Sequence, residues 1–585
     1  MHNKKRPLGR FFMHHLFLAA GLAAIGLGWN LPNHYPLWTT FHSELLSAFG
    51  VCLLFAGVIW RSFASKPVTS TFASASVRAR VPLPPAARVW LAVALIPTLQ
   101  YVTGVLVFRG DAALGFLYGT GVALGLYTGH LWALQAGSKA VVKALFVMIV
   151  FAALAAGGLA LVQWFRLPTL SWWTMDLIND RPYGNFGQPN LFALLMVMGI
   201  IGVTMLFEMR VVDRRLSHAL ALLFFGWCLL ISGSRANAFG MLAVTAVWFL
   251  TRHRVPSRLR VIDVLLALAI GYAAYLSLGI IEDALYLKVG ALRPPLEVGP
   301  RRGIWLHFWA AILARPWWGY GFEQGVLALR EAAGSAHSYY NSIYAHNLVL
   351  DLMTWVGIPM GAILSLALGG WMLGWLRCQP NTELSVQRHG VFALWLALLF
   401  HSMLEFPYAH AYFLLPAALL AGAVMAGGVS PATGRVRASR PVLVLAMFTA
   451  LLLGVTAADY FQFETDYRTL RYYKGNFIDQ KEPELQSNLW VLDQLDLLNA
   501  AAHFKVRAGM PPDEIEKLGR LARRFHMLPE RYTYAKALAL NGRLPEAEHE
   551  LLTIRSIYKP ASYASIERDW QTWLKQNPFI TDIRR

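Results

Sequence analysis

Cysteine is nearly absent, with three in 585 residues. Cys52 and Cys228 fall in apolar stretches and Cys378 in an inner connection, and no pair suggests a disulfide or a metal site. Charge is scarce too. Only 15% of residues are charged against 56% hydrophobic, and mean hydropathy is +0.44, a balance foreign to ordinary soluble domains. Acidic residues are the rarer charge, 33 against 52 basic, which leaves a net charge of +19. That excess points to nucleic acid only if its position along the chain is ignored.

What the chain has instead is long apolar runs. A run of about 18 or more crosses a ~30 Å hydrocarbon core as helix, and backbone groups in lipid must pair internally. Thirteen runs are predicted, at 11–29, 44–62, 89–107, 112–134, 141–163, 189–207, 216–232, 237–251, 262–281, 347–376, 391–404, 408–427 and 441–460. The eighth and eleventh are short. With the first end inside, the N-terminus and even connections hold about 23 Lys and Arg, the short odd ones about four: Arg109, Arg166, Arg181 and Arg235. Basic residues stay on the cytoplasmic side of short loops, so the N-terminus is read as inside and the tail after the last run as outside. Lys4, Lys5, Arg6 and Arg10 precede the first run as in a signal peptide. No small-residue cleavage site follows Trp29, so that run is read as a retained helix.

The expected fold class is therefore all-α, a polytopic bundle of about 13 transmembrane helices with a long outer loop and a helical tail. Residues 1–281 carry helices one to nine, 282–345 the loop, 346–460 helices ten to thirteen, and 461–585 the tail. Within the loop, "GIWLHFWAAILARPWWGYGF" has Trp and Phe at helical spacing, as in a segment lying on the membrane surface. Within the tail, "YAKALALNGRLPEAEHELLTIRSIYK" resembles one tetratricopeptide helix pair; a generic small helical domain is the alternative. No internal repeat is evident among the membrane helices.

Polar residues gather on the outer side. "RPYGNFGQPN" (Arg181 to Asn190, with Gln188) is a tight Gly/Pro/Asn turn before helix six. "SGSRANAFG" places Arg235 in a short outer turn, against the charge bias; it is either a snorkelling cation or an anion site, since guanidinium holds phosphate in a fork. "GPRRGIW" adds Arg301 and Arg302 at a helix start, where free N–H groups favour phosphate, or as a solvated basic pair. "YAHNLVLD" puts His346 at the mouth of helix ten, with Asn347 beside it and Asp351 a turn further in; imidazole suits proton transfer near neutral pH. "HSMLEFPYAHAYF" places Glu405 in the next outer turn, between His401 and His410, to orient a base, bind a cation or hold an arginine. Arginines plus a histidine, with no metal-binding pattern, suit a phosphate or pyrophosphate substrate and transfer to a hydroxyl.

These stretches, "GNFGQPN", "SGSRA", "RRGIW", "ARPWWGYGF", "AHNLVLDLMTWVGIPMG" and "HSMLEFPYAHAYFLLP", resemble the bacterial O-antigen ligase and polymerase superfamily in order, sidedness and spacing. Within it they resemble the protein O-oligosaccharyltransferases. The likeness covers about 170–425, and the helical tail suits the protein-glycosylating branch. It implies a multi-pass inner-membrane enzyme whose active site and tail face the periplasm. Its donor would be an undecaprenyl-diphosphate oligosaccharide, its acceptor a pilin-like or other periplasmic protein, with no metal, no cofactor and no nucleic acid. By resemblance His346 is catalytic and Arg235 engages the diphosphate. Arg301 or Arg302 supplies the second family arginine; the four-residue spacing to Trp305 favours Arg301. Asn347, Glu405, Asn190, Gln188, Trp305 and His401 are supporting candidates. The rival acceptors are lipid A-core sugar, as for an O-antigen ligase, and a growing glycan, as for a polymerase. A flippase would need charges at mid-membrane and paired repeats. An assembly anchor would have no use for the arginines or His346.

Overall fold

The computed structural model describes residues 8–64, 80–170, 172–177, 180–287, 299–377, 380, 382–427, 436–477, 488–578 and 580. Lys4, Lys5, Arg6, Cys378 and residues 288–298 of the long loop lie outside these. The described chain is helical almost throughout. It runs α1 (Leu8–Gly28), α2 (Phe41–Ala64), α3 (Pro85–Val102), α4 (Arg109–Ala136), α5 (Ser138–Trp164), α6 (Pro189–Glu208), α7 (Arg215–Ile231), α8 (Arg235–Thr251) and α9 (Val261–Ala284). The long loop holds α10 (Arg301–Ala314) and α11 (Gly325–Glu331). There follow α12 (Leu348–Trp375), α13 (Glu383–Ser402), α14 (Ala411–Met425) and α15 (Arg440–Lys474). The tail adds α16 (Asp493–Ala501), α17 (Pro512–Arg524), α18 (Leu528–Leu540), α19 (Leu544–Ile557) and α20 (Pro560–Gln576).

Each of the thirteen runs falls on a helix, but not each is long and apolar enough to cross a membrane. Among the described residues eight helices are: α2, α3, α4, α5, α6, α9, α12 and α15. Shorter apolar stretches lie in α1, α7 and α14, and α8 and α13 fall outside both groups. The polar turns at 232–234 and 403–410 bound α7, α8 and α14, and α13 opens with Glu383 and Arg388. Two expected boundaries also differ. Residues 460 and 461 lie inside α15, which continues unbroken to Lys474, and 281 and 282 lie inside α9.

Glycines set how closely the bundle packs. A Cβ on Gly129 of α4 would lie 2.1 Å from the Leu419 carbonyl of α14, and one on Gly422 2.0 Å from the Leu126 carbonyl. Gly115 and Gly119 meet Pro97 and Ala94 of α3 at 2.5 Å. In lipid, helices associate largely through such close contact of small residues. Arg80–Val81 pairs in parallel with Arg437–Ala438.

α12 is broken at Gly357, where φ is 81°, a left-handed conformation that suits glycine. The chain after α10 fills the gap. The Tyr320 and Gly321 N–H groups donate to the Thr354 and Trp355 carbonyls at 2.7 and 3.1 Å, and the Ile358 N–H donates to Pro316 at 2.7 Å. Backbone groups freed within a membrane must be satisfied by neighbours in this way.

The tail seats on one end of the bundle. Asp493 accepts from the Arg109 and Gly110 N–H groups at 3.3 and 3.0 Å, placing a carboxylate at the N-terminus of α4, where the helix dipole favours negative charge. Asp459 of α15 accepts from the N–H groups of Trp490, Val491 and Leu492 at 3.1, 2.6 and 3.0 Å. α18 and α19 form a helix pair joined at Gly542, where φ is 77°.

Candidate active site

Glu405 is the centre of a polar cluster. It lies in the turn after α13 and is buried, with 3% of its surface exposed. Four side chains from three other segments reach it. Arg301, the first residue of α10, forms an ion pair with Oε1, and its Nε donates to the Leu404 carbonyl at 2.7 Å. His346 Nδ1 lies 3.0 Å from Oε2. Asn190 Nδ2 donates to Oε1 at 2.7 Å and Gln188 Nε2 to Oε2 at 3.4 Å, both from the start of α6. Burial alone would raise the Glu405 carboxyl; the hydrogen bond and charge of His346 and the charge of Arg301 outweigh it and hold it at about 2. A carboxylate there accepts the His346 Nδ1–H, which leaves the Nε2 lone pair as the ring's free basic position.

His346 itself is held in a left-handed conformation, φ 54°, sparsely populated for a residue with a side chain. Several contacts over-determine it. Asn347 caps α12, its Oδ1 accepting from the Val349 and Leu350 N–H groups at 3.1 and 3.2 Å and its Nδ2 donating to Met403 at 3.3 Å. The Ala345 N–H donates to both Asp351 oxygens, at 2.9 and 3.1 Å, and the Tyr408 hydroxyl donates to Asp351 from the other side. Phe406 stands edge-on to the imidazole at 4.9 Å. His346 Nε2 makes no hydrogen bond to a described residue, and the side chain is 13% exposed.

Of the predicted residues, His346, Arg301, Glu405, Asn190, Gln188 and Asn347 form this one network. Arg235 is half-buried as the first residue of α8, in the turn joined to the network through Asn237, whose Nδ2 donates to the Asn190 carbonyl at 2.8 Å. Arg302 is exposed, with no hydrogen bond or ion pair to a described residue. Trp305 packs beside Ile304 and Phe308, its indole N–H buried without a partner. His401 is buried one turn before Glu405, with neither ring nitrogen hydrogen-bonded, so it stands behind the network rather than at its open side.

Arg181 was not picked out by sequence reasoning. Its Nε donates to the Ser232 carbonyl at 2.8 Å and its Nη2 to Asn190 Oδ1 at 3.2 Å, fastening the "SGSRA" turn to the "GQPN" turn. The available signal was its defiance of the charge bias, the same one that singled out Arg235. Tyr408 carried no such signal, because a tyrosine near a membrane surface is ordinary.

Residues 220–365 match the family model described as O-Antigen ligase, and residues 390–572 the one described as Virulence factor membrane-bound polymerase, C-terminal. His346, Asn347, Arg235, Arg301, Arg302 and Trp305 lie in the first segment, Glu405 and His401 in the second. The chain is 26% identical over 566 residues to a general O-oligosaccharyltransferase of Acinetobacter baylyi, covering 94% of this chain and 93% of that one. It is 23% identical over 421 residues to a ComP-specific O-oligosaccharyltransferase of the same organism, covering 69% and 70%. Two segments of the chain thus match these family models, and nearly its whole length is similar to a bacterial O-oligosaccharyltransferase.

Proposed function

We propose that the protein is a glycosyltransferase that moves an oligosaccharide en bloc from undecaprenyl diphosphate to a Ser or Thr hydroxyl of a periplasmic, pilin-like acceptor protein. The observation that carries this is the buried Glu405 bridging Arg301 and His346, in a chain alike along nearly its whole length to an O-oligosaccharyltransferase.

In this reading the acceptor hydroxyl stands at His346 Nε2. Its oxygen bonds to the anomeric carbon as the bond from that carbon to the diphosphate oxygen breaks. The hydroxyl proton passes to Nε2, and the imidazolium is stabilised through Nδ1–H by Glu405. Arg235 and the N–H groups of Arg301 not engaged by Glu405 and Leu404 stabilise the charge growing on the leaving diphosphate. A single displacement inverts the anomeric centre. The orientation follows from the charge bias: N-terminus in the cytoplasm, network and tail in the periplasm. The tail, with its tetratricopeptide-like pair α18–α19, suits a polypeptide acceptor.

The match of residues 220–365 to an O-antigen ligase model favours a second reading, in which lipid A-core sugar is the acceptor. One assay separates them. Purified protein is given an undecaprenyl-diphosphate oligosaccharide in EDTA, with a pilin-like protein or lipid A-core. Glycosylated protein from wild type and none from His346→Ala is the expected result. Product on lipid A-core alone would establish the second reading, and undiminished transfer by His346→Ala would remove the base.

A further inference from the structure

The tail does more than cover the bundle, and its contacts converge on the segment that carries His346. The Ser338 and Tyr339 N–H groups both donate to the Ser556 carbonyl at the end of α19, at 3.1 and 3.0 Å. Asn341 Nδ2 donates to the His526 carbonyl at 2.6 Å and meets the Tyr558 hydroxyl at 3.1 Å. Residues 338–341 are therefore held by the tail and 345–347 by the membrane mouth. Tyr344 stands between. Its hydroxyl donates to Glu323 at 2.9 Å, and its ring stacks on Phe406 at 5.1 Å, the same ring that stands against His346.

Glu323 does not stand alone. Arg524, the last residue of α17, reaches into the bundle and grips Asp111 of α4. Its Nε lies 2.9 Å from both carboxylate oxygens and its Nη2 2.8 Å from Oδ1. Asp111 is buried, and Gln324 Nε2 donates to it at 3.1 Å, which brings the residue after Glu323 to the same carboxylate. Burial pushes the Glu323 carboxyl up, while the Arg524 charge and the Tyr344 hydrogen bond oppose that rise. Glu323 also sits at a φ of 56°, left-handed like His346. Such conformations persist only where the surroundings over-determine them. Arg524 bears on that segment from the tail through Asp111, which Gln324 also grips.

We infer that Arg524 is a positioning residue for His346, acting from the tail through Asp111, Glu323 and Tyr344 on the loop that presents the imidazole. The inference rests on the reading of His346 as the base. It makes the tail part of the catalytic support, whatever it also does in holding an acceptor. A tail that only gripped the acceptor would change KM alone. A tail that positions the base changes kcat.

The test uses the full chain, a lipid-linked oligosaccharide donor and a glycosylatable acceptor protein. Wild type, Arg524→Ala, Arg524→Lys, Tyr344→Phe and His346→Ala are compared, with folding followed by size exclusion and thermal unfolding. Arg524→Ala and Tyr344→Phe are expected to lower kcat about tenfold or more, with the acceptor KM within about twofold of wild type. Arg524→Lys keeps the charge and loses the fork, and should recover kcat only in part. A rise in KM without a fall in kcat, or no change in either variant beside an inactive His346→Ala, would overturn this inference alone. Full activity of His346→Ala would overturn the base reading and this inference with it. If Arg524→Ala fails to fold, Tyr344→Phe, which removes one hydroxyl, decides by the same criterion.

Discussion

Two buried carboxylates in this chain each bridge two basic side chains, and they differ in what they leave open. Glu550 of α19 joins Arg330 of α11 to Arg531 of α18, with Arg531 and Glu550 wholly buried and Arg330 19% exposed. Glu405 joins Arg301 to His346, which are 31% and 13% exposed. The same ionic pattern therefore does two jobs. Sealed, it can only hold the tail against the long loop, and it does so imperfectly, since Arg531 Nε and Nη2 lack partners. Open on one side, it keeps a ring nitrogen and guanidinium N–H groups available to a substrate. Burial separates the latch from the candidate site.

The largest effect should come from the open cluster. On the proposed reading His346→Ala removes the proton acceptor, and transfer measured with saturating donor should fall by about 10²–10⁴-fold, the usual worth of a positioned base. Next is the sealed cluster. Glu550→Ala strands two cations, one of them fully buried, and should cost about 3–5 kcal/mol in chemical denaturation. An unchanged unfolding midpoint would show that this latch contributes nothing.

Glu405→Gln keeps the shape and loses the charge that fixes the His346 tautomer. A loss of about 10–100-fold in kcat is expected, as for partners that orient a working histidine. Wild-type kcat in this variant would reduce Glu405 to a structural ion-pair partner.

The smallest effect is one of pH. The Glu405 carboxyl is held at about 2 against an ordinary 4.5. A depressed value means its stabilising contribution is complete above the ordinary range and lost as pH falls through the folded one. The gap in melting temperature between wild type and Glu405→Gln should thus hold steady from pH 8 to about 5 and close only as pH falls toward about 2. A gap that closes above pH 5 would mean Glu405 is not held ionised by Arg301 and His346.

Much of the candidate site was legible because membrane sequences make polar residues conspicuous. His346 and Asn347 stood out at the start of an apolar run, and Arg235 by lying where arginine is scarce. Arg301 and Arg302 are a different case. Neighbours on a helix point about 100° apart, and only the tertiary placement of α10 turns Arg301 toward Glu405 and leaves Arg302 exposed. The tail's grip on the loop at 338–341 was not legible either. Three of its bonds go to the Ser556 and His526 carbonyls, and a carbonyl carries no residue identity.

α6 and α9 mark the division most plainly. Both are apolar runs that the sequence by itself determines to be helices, since lipid and protein core alike demand paired backbone groups. Yet α6 is buried along most of its length, whereas only Leu278 and Glu282 of α9 are. Hydropathy does not separate them, because lipid tails are as apolar as leucine. Sequence determined which segments are helical and which polar residues stand out between apolar runs. Only the tertiary structure decided which helices face the interior, which arginine meets Glu405 and which carboxylate stays open, because those depend on neighbours distant along the chain.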